Sequence, residues 1–354
     1  MAVNNSSPGS SVGIIRELKD FGNGQVIVQN EILYYFLLVN LWGPGLAVCV
    51  FGIITNILNI IVFNKQGVRN TVNISLLGLA TSDLGSQVTL LYTSISFLPA
   101  FAALDLPYVQ YDVMYISAWC HIMFTRISAW ITAYITLERC LCVTAPLRVK
   151  NLFTPTRTFL YLMFVYLIML ASVIPCFYTA KPSTIFDASR NKSLVGLTFP
   201  EDRGEIDNIT FVTNNAIPNV SFFLVAICTA VLVINLRKKS KWRKQVTNTP
   251  TATAVSERDS KIVKMVVLIS VVFIICYFPG TAAFVYVIMD SEMRFDGLHR
   301  NLCFAVFSVM FHLESINASF NIFIYLSLSS KFKSTLHEIM VLFKRSSSVK
   351  QTRK

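Results

Sequence analysis

Long apolar runs broken by short polar ones set the rhythm of this chain. Residues 32–64, 158–180, 208–236 and 265–289 contain no Asp, Glu, Lys or Arg. Residues 70–104 contain only Asp83, 113–137 only Arg126, and 301–330 only Glu314. Each run exceeds the ~20 apolar residues a helix needs to cross a bilayer, whereas membrane strands of ~10 residues do not match these lengths. A helix also satisfies its own backbone groups, which lipid cannot do. The pattern predicts an all-α membrane protein, a seven-transmembrane helix bundle. Its membrane core covers 34–328, with spans near 34–64, 71–99, 113–144, 158–180, 211–236, 260–289 and 301–328. A shorter pattern follows at 330–343, where Phe332, Leu336, Ile339, Met340 and Phe343 recur at helical spacing between Lys331, Lys333, Lys344 and Arg345. That predicts an amphipathic eighth helix on the inner leaflet. Residues 1–33 and 344–354 are then an outer N-terminal tail and a cytoplasmic tail.

Composition supports lipid as the solvent. Hydrophobic residues make up 54% and charged residues 14%, and mean hydropathy is +0.56. Ordinary soluble domains carry roughly 25% charged residues, so a soluble fold this apolar would lack a polar surface. The net charge of +12 alone would suit a nucleic-acid binder or a membrane protein with one basic side. Its distribution decides. With the N-terminus outside, the inner segments hold 22 Lys and Arg against 4 Asp and Glu, and the outer segments 8 against 13. The excess of Lys and Arg beside the inner span ends fixes that orientation and attracts anionic membrane lipid, while the seven spans exclude nucleic acid as partner. The plasma membrane is the expected site, with the first span acting as an uncleaved signal-anchor. Sequons at Asn4, Asn5, Asn191 and Asn208 fall on the outer side and are candidate glycosylation sites.

Five short motifs stand at matching depths. Span one carries Gly52-Ile53-Ile54-Thr55-Asn56 and span two Leu79-Ala80-Thr81-Ser82-Asp83. Span three ends on Glu138-Arg139-Cys140, followed by Pro146-Leu147. Span six holds Phe273 and Cys276-Tyr277-Phe278-Pro279, and span seven Asn321-Ile322-Phe323-Ile324-Tyr325. With these the chain resembles the rhodopsin-like (class A) G-protein-coupled receptors. It looks most similar to molluscan chemosensory receptors, by Ser128-Ala129-Trp130-Ile131-Thr132 and by Asn-Ile-x-x-Tyr.

The resemblance implies a receptor for an extracellular ligand, an odorant or other small molecule or a neuropeptide. It implies activation of a heterotrimeric G protein through outward movement of span six, with arrestin as a further partner. It implies that Glu138, Arg139, Pro146, Leu147, Phe273, Tyr277, Pro279, Asn321 and Tyr325 carry activation, with Asp259 a second acid holding Arg139 at rest. Asp259 also reads as a helix-start acid favoured by the macrodipole. Pro279 removes a backbone hydrogen bond and kinks span six. Tyr277 stands where the family has Trp, and Ile322 where it has Pro. The resemblance further implies a sodium and water pocket at Asp83, Ser128, Asn317 and Asn321, with Asn56 beside it. Oxygen donors suit such a hard cation. The alternative is a protonated Asp83 hydrogen-bonded to Asn56 and Asn321, with no ion. No other metal and no cofactor is expected.

Two further features concern the outer half. None of the eight cysteines lies in the loop 181–207, so the family's usual disulfide to span three cannot form. A Cys120–Cys176 bridge is conceivable there, the alternative being two buried free thiols. Arg126 lies thirteen residues, about 20 Å of rise, above Arg139, and Glu314 eleven residues, about 16 Å, above Tyr325. At similar depth, two opposite charges either pair structurally, form a ligand site with Tyr277, or take separate partners. The acidic cluster Glu201, Asp202, Glu205 and Asp207 would steer a cationic ligand, or is simply a solvated loop. Other classes fare worse. A retinal protein needs a Lys in span seven, and 301–330 has none. No hydrolase motif or metal-spaced His cluster appears, so an enzyme is not expected. A transporter or channel-like seven-helix protein without G-protein coupling is the alternative, though no inverted repeat supports it.

Overall fold

The fold comes from a computed structural model, which describes residues 27–96, 98–102, 104–187, 191–198, 200, 203–245, 251–293 and 297–351. Eight long helices dominate: α1 (Asn30–Gln66), α2 (Thr71–Ser96), α3 (Gln110–Thr144), α4 (Pro155–Thr179), α5 (Arg203–Gln245), α6 (Thr251–Met289), α7 (Arg300–Leu328) and α8 (Ser330–Gln351). Six are long and apolar enough to cross a membrane: α1, α2, α4, α7, and the parts Gly204–Lys238 of α5 and Ser260–Met289 of α6. The exception is α3. Counting charges alone sees only Arg126 across 113–137, but the buried Ser117, His121, Thr125, Ser128, Thr132 and Thr136 lower the apolarity of α3. Those groups face protein rather than lipid, because α3 packs against α2, α4, α5 and α6. A helix enclosed by its neighbours can carry polarity that a lipid-facing one cannot.

The outer helices show the reverse pattern. On α4, Leu162, Val165, Met169, Val173 and Cys176 form the buried stripe, at spacings of three and four. Phe159, Phe164, Leu167, Leu170 and Ile174 point away from the bundle and are exposed. An apolar stripe turned outward is what a hydrocarbon solvent allows. Pro44 interrupts α1 within a π-helical segment, Leu41–Gly45. Proline cannot supply the amide hydrogen of a regular turn, and the wider turn absorbs the defect.

Between α4 and α5, strands β1 (Lys181–Asp187) and β2 (Lys192–Thr198) pair antiparallel, from Lys181↔Thr198 to Asp187↔Lys192. Although all eight cysteines are free and the Cys120–Cys176 bridge is not made, this outer hairpin is tethered. Val109 N–H donates to the Val195 carbonyl at 2.9 Å, and Val195 N–H to the Pro107 carbonyl at 2.9 Å. The Asp112 carboxylate at the start of α3 accepts from Leu197 N–H at 2.6 Å, and Lys192 pairs with Asp105. Hydrogen bonds thus join the loop to the outer end of α3 where no disulfide does.

Several ends differ from the sequence expectation. Helix α5 begins at Arg203 rather than 211 and so takes in Glu205 in its first turn, where an acid offsets the helix dipole. The Asn208 sequon therefore lies within a helix, whereas Asn191 sits exposed at the hairpin turn with φ 49°. Asn4 and Asn5 lie outside the described residues. Helix α6 begins at Thr251, not 260, and α8 continues through Gln351 rather than ending at 343. Neither Pro nor Gly occurs in 344–351 to stop it.

Candidate ligand-binding site and signalling elements

Helix rise brings Arg126 and Glu314 to one level, and the bundle turns both inward. Arg126 Nη1 lies 2.6 Å from Glu314 Oε1, and Nη2 donates to Asn215 Oδ1 of α5 at 2.9 Å. Asn215 is held for this by its own Nδ2, which donates to the Phe211 carbonyl at 2.8 Å. Arg126 and Glu314 are only 7% and 6% exposed. Charges so enclosed persist only when paired, and the fork of a guanidinium lets one Arg serve two partners. His121 adds a third element. Its Nδ1 bonds the Ser86 carbonyl at 2.9 Å, and its Nε2 stands 3.9 Å from Glu314 Oε2. His312 of α7, by contrast, bonds the Ser308 carbonyl of its own helix at 2.8 Å.

Beside the pair is a cavity of about 20 Å³, lined by Arg126, Glu314, Asn215, Asn219, Tyr277 and Phe307 among others. A space of that size admits one water-sized group. Tyr277 closes it on the α6 side, stacked on Phe273 with ring centroids 4.2 Å apart. Its hydroxyl donates to the Thr125 carbonyl, the residue before Arg126, at 3.2 Å. Pro279 lies two residues further along α6, so the tyrosine couples the cavity to the helix segment that proline weakens.

Deeper in the bundle, Ser128 donates to Asp83 Oδ1 at 2.6 Å and Asn321 Nδ2 to Asp83 Oδ2 at 3.0 Å. Both carboxylate oxygens are thereby engaged by protein donors. Asn56 does not reach Asp83; its Nδ2 donates to the Gly52 and Ala318 carbonyls, at 2.9 and 3.1 Å. It ties α1 to the α7 backbone instead. Asn317 is buried on α7. The oxygens of Asp83, Ser128 and Asn321 are a donor set chemically suited to sodium.

At the end of α3 away from the hairpin, Glu138 Oε1 accepts from Arg139 Nη2 at 2.7 Å and from Thr71 Oγ1 at 2.6 Å. The acid pins its neighbour against α2. The side chain of Asp259 lies outside the described residues. Pro146 opens a short helix, Pro146–Leu152, that presents Leu147 at 90% exposure. Tyr325 is buried and packs on Phe63 of α1 and Phe332 of α8, at 5.1 and 5.4 Å. Lys65 and Glu338 add an ion pair at 3.0 Å, so α8 folds back under α1 and α7.

Sequence reasoning found the Arg126–Glu314 pair but missed Asn215 and His121. The signal for Asn215 was present, since Asn214, Asn215 and Asn219 interrupt an uncharged span with polar amides. For His121 the signal was only its place in the same helix, five residues above Arg126.

Helices of this length with an apolar outer surface define a multi-pass membrane protein. The chain belongs to the serpentine type 7TM GPCR chemoreceptor Srw family, whose profile matches residues 45–343. It is also similar to the galanin-like G-protein coupled receptor npr-9 of Caenorhabditis elegans, with 29% identity over 136 residues. That alignment covers 36% of this chain and 29% of the relative, so it spans under a third of the relative's length.

Proposed function

We propose that the protein sits in the plasma membrane with its N-terminus outside and α3 as its seventh span. It binds an extracellular ligand at the Arg126–Glu314 cavity and activates a heterotrimeric G protein. The observation that carries this reading is the convergence of α3, α5, α6 and α7 on one buried pair. A ligand that moves Tyr277 acts on α6 just before Pro279, the point where that helix bends most readily.

The class A assignment, and within it the likeness to molluscan chemosensory receptors, rests on the motifs around Asn56, Asp83, Arg139, Pro279 and Tyr325. The Srw family match supports a chemosensory ligand and the resemblance to a galanin-like receptor a peptide one. On the inner face, exposed Leu147 offers an apolar contact to the G protein, and Arg139 is released from Glu138 to meet it. Asp259 restrains Arg139 at rest, arrestin follows on the same face, and α8 lies on anionic lipid. Asp83, Ser128, Asn317 and Asn321 would hold a sodium ion in the resting state.

The test is a calcium and cyclic-nucleotide readout in cells expressing the chain, screened with neuropeptides and waterborne odorants. A response that Tyr277→Ala abolishes at equal surface expression is expected. A response unaffected by Tyr277→Ala and Arg126→Met would remove the cavity from the account.

A further inference from the structure

The ion pair at the cavity is complete as a pair and incomplete in its hydrogen bonding. Arg126 Nη1 and Nη2 are both engaged, but Nε has no hydrogen-bond partner among the described residues. Glu314 Oε1 is engaged, but Oε2 is likewise without one. Both residues are more than nine-tenths buried, and both line the same water-sized cavity. Leaving one buried donor and one buried acceptor open is costly, and a group that fills both openings recovers that cost.

The charge balance of the site selects the group. A carboxylate entering here would compete with Glu314 for Arg126, and an ammonium would compete with Arg126 for Glu314. Either would leave one buried charge without its partner, which is strongly unfavourable. A neutral group that both accepts and donates meets neither objection. It takes a hydrogen bond from Arg126 Nε, gives one to Glu314 Oε2, and leaves the pair intact.

The second cavity supplies the rest of the ligand's shape. About 360 Å³ lies between α6 and α7, lined by Ala283, Tyr286, Val287, Leu302, Val306 and Phe307. Phe307 also lines the charged cavity, so the two spaces share a wall. Ala283 stands one residue short of a turn beyond Gly280, and Phe307 one residue short of a turn before Met310, where Gly280 and Met310 line the charged cavity. The cleft therefore lies about one turn toward the outside along the same seam, and its lining is apolar with Tyr286 exposed at its edge. Its volume is within the range of small-molecule sites.

We propose that the ligand is a neutral amphiphile whose head, an alcohol or primary amide, bridges Arg126 and Glu314 while its apolar body fills the α6–α7 cleft. This rests on the reading of the Arg126–Glu314 cavity as the ligand site. The choice is against charged ligands, including the cations that the acidic outer residues would steer.

Radiolabelled octanamide is titrated onto the full-length receptor in lipid nanodiscs, with 1-octanol, octane, octanoate and octylammonium as competitors. Saturable octanamide binding is expected, with 1-octanol competing well and the other three about tenfold or more weaker, the worth of one or two hydrogen bonds. Ala283→Phe, which fills the cleft without touching the pair, abolishes binding. Glu314→Gln frees Arg126 and shifts the preference from octanamide toward octanoate. The proposal is overturned if octanoate or octylammonium matches the neutral probes on the wild type, if no saturable octanamide binding occurs at millimolar concentration, or if Ala283→Phe binds normally. The wild-type series decides even if a variant fails to fold. G-protein activation is scored separately. Neutral probes that bind without activating leave this inference standing and count against the receptor reading, whereas activation by a charged ligand at the same residues does the reverse.

Discussion

Replacing Arg126 with Met keeps an unbranched apolar stem and removes the guanidinium and its charge. Glu314 then stays buried without its guanidinium partner, and Asn215 Oδ1 loses the donor 2.9 Å away. Removing one member of a buried pair costs about 3–5 kcal/mol, most of it the isolated charge. The unmet Asn215 oxygen adds about 1 kcal/mol. For a chain of this size that is a fall in apparent melting temperature of roughly 5–8 °C. Glu314→Met leaves Arg126 equally stranded and costs a similar amount. The double variant Arg126→Met with Glu314→Met buries no charge, so it returns to within about 1 kcal/mol of the wild type. The assay is thermal unfolding of the four purified proteins in nanodiscs, read as a double-mutant cycle. Additive losses, with the double variant the least stable, would refute the claim that the two charges support each other. So would single losses under about 1 kcal/mol.

Asp112→Asn weakens the acceptor for Leu197 N–H, and amide exchange across Lys192–Thr198 should rise about tenfold, as befits a charge-assisted bond reduced to a neutral one. Gly52→Ala places a methyl 2.5 Å from Ser319 Oγ and 2.7 Å from Gln87 Cδ, so these buried, hydrogen-bonded side chains or α1 itself must shift; a loss of about 1–3 kcal/mol in thermal unfolding checks this. Asp259→Ala should raise ligand-free G-protein signalling severalfold at equal surface expression, and unchanged basal activity would remove the second restraint on Arg139.

The helices were legible because lipid imposes a simple rule: a charge-free run of sufficient length must be a helix. The same rule explains the weak point, since α3 carries so many hydroxyls and imidazole that its apolarity falls short, and only its packing partners show why that is tolerated. The level of Arg126 and Glu314 followed from 1.5 Å per residue, a constant of the helix. Which side partners complete the pair did not follow, because Asn215 depends on the rotation of α5, which no spacing within one helix fixes. Asn56 shows the limit of motif reasoning, for its amide goes to the Gly52 and Ala318 carbonyls while Asp83 takes Ser128 and Asn321. The hairpin was less legible although Thr184-Ile185-Phe186 and Leu194-Val195-Gly196-Leu197 flank the turn at Asn191, because the loop is held by backbone bonds that no side-chain pattern announces.

The central claim is that this bundle joins an outer ligand to an inner G protein, and nucleotide exchange measures that join directly. Receptor in nanodiscs is mixed with purified heterotrimers of each Gα class, and GTP-analogue binding is followed with and without the neuropeptide and odorant panel. Ligand-stimulated exchange is expected on at least one class, lost in Arg139→Ala and in Tyr277→Ala at equal folded receptor. Exchange no faster than empty nanodiscs across every class and every ligand, from a receptor that is folded and oriented, would contradict it.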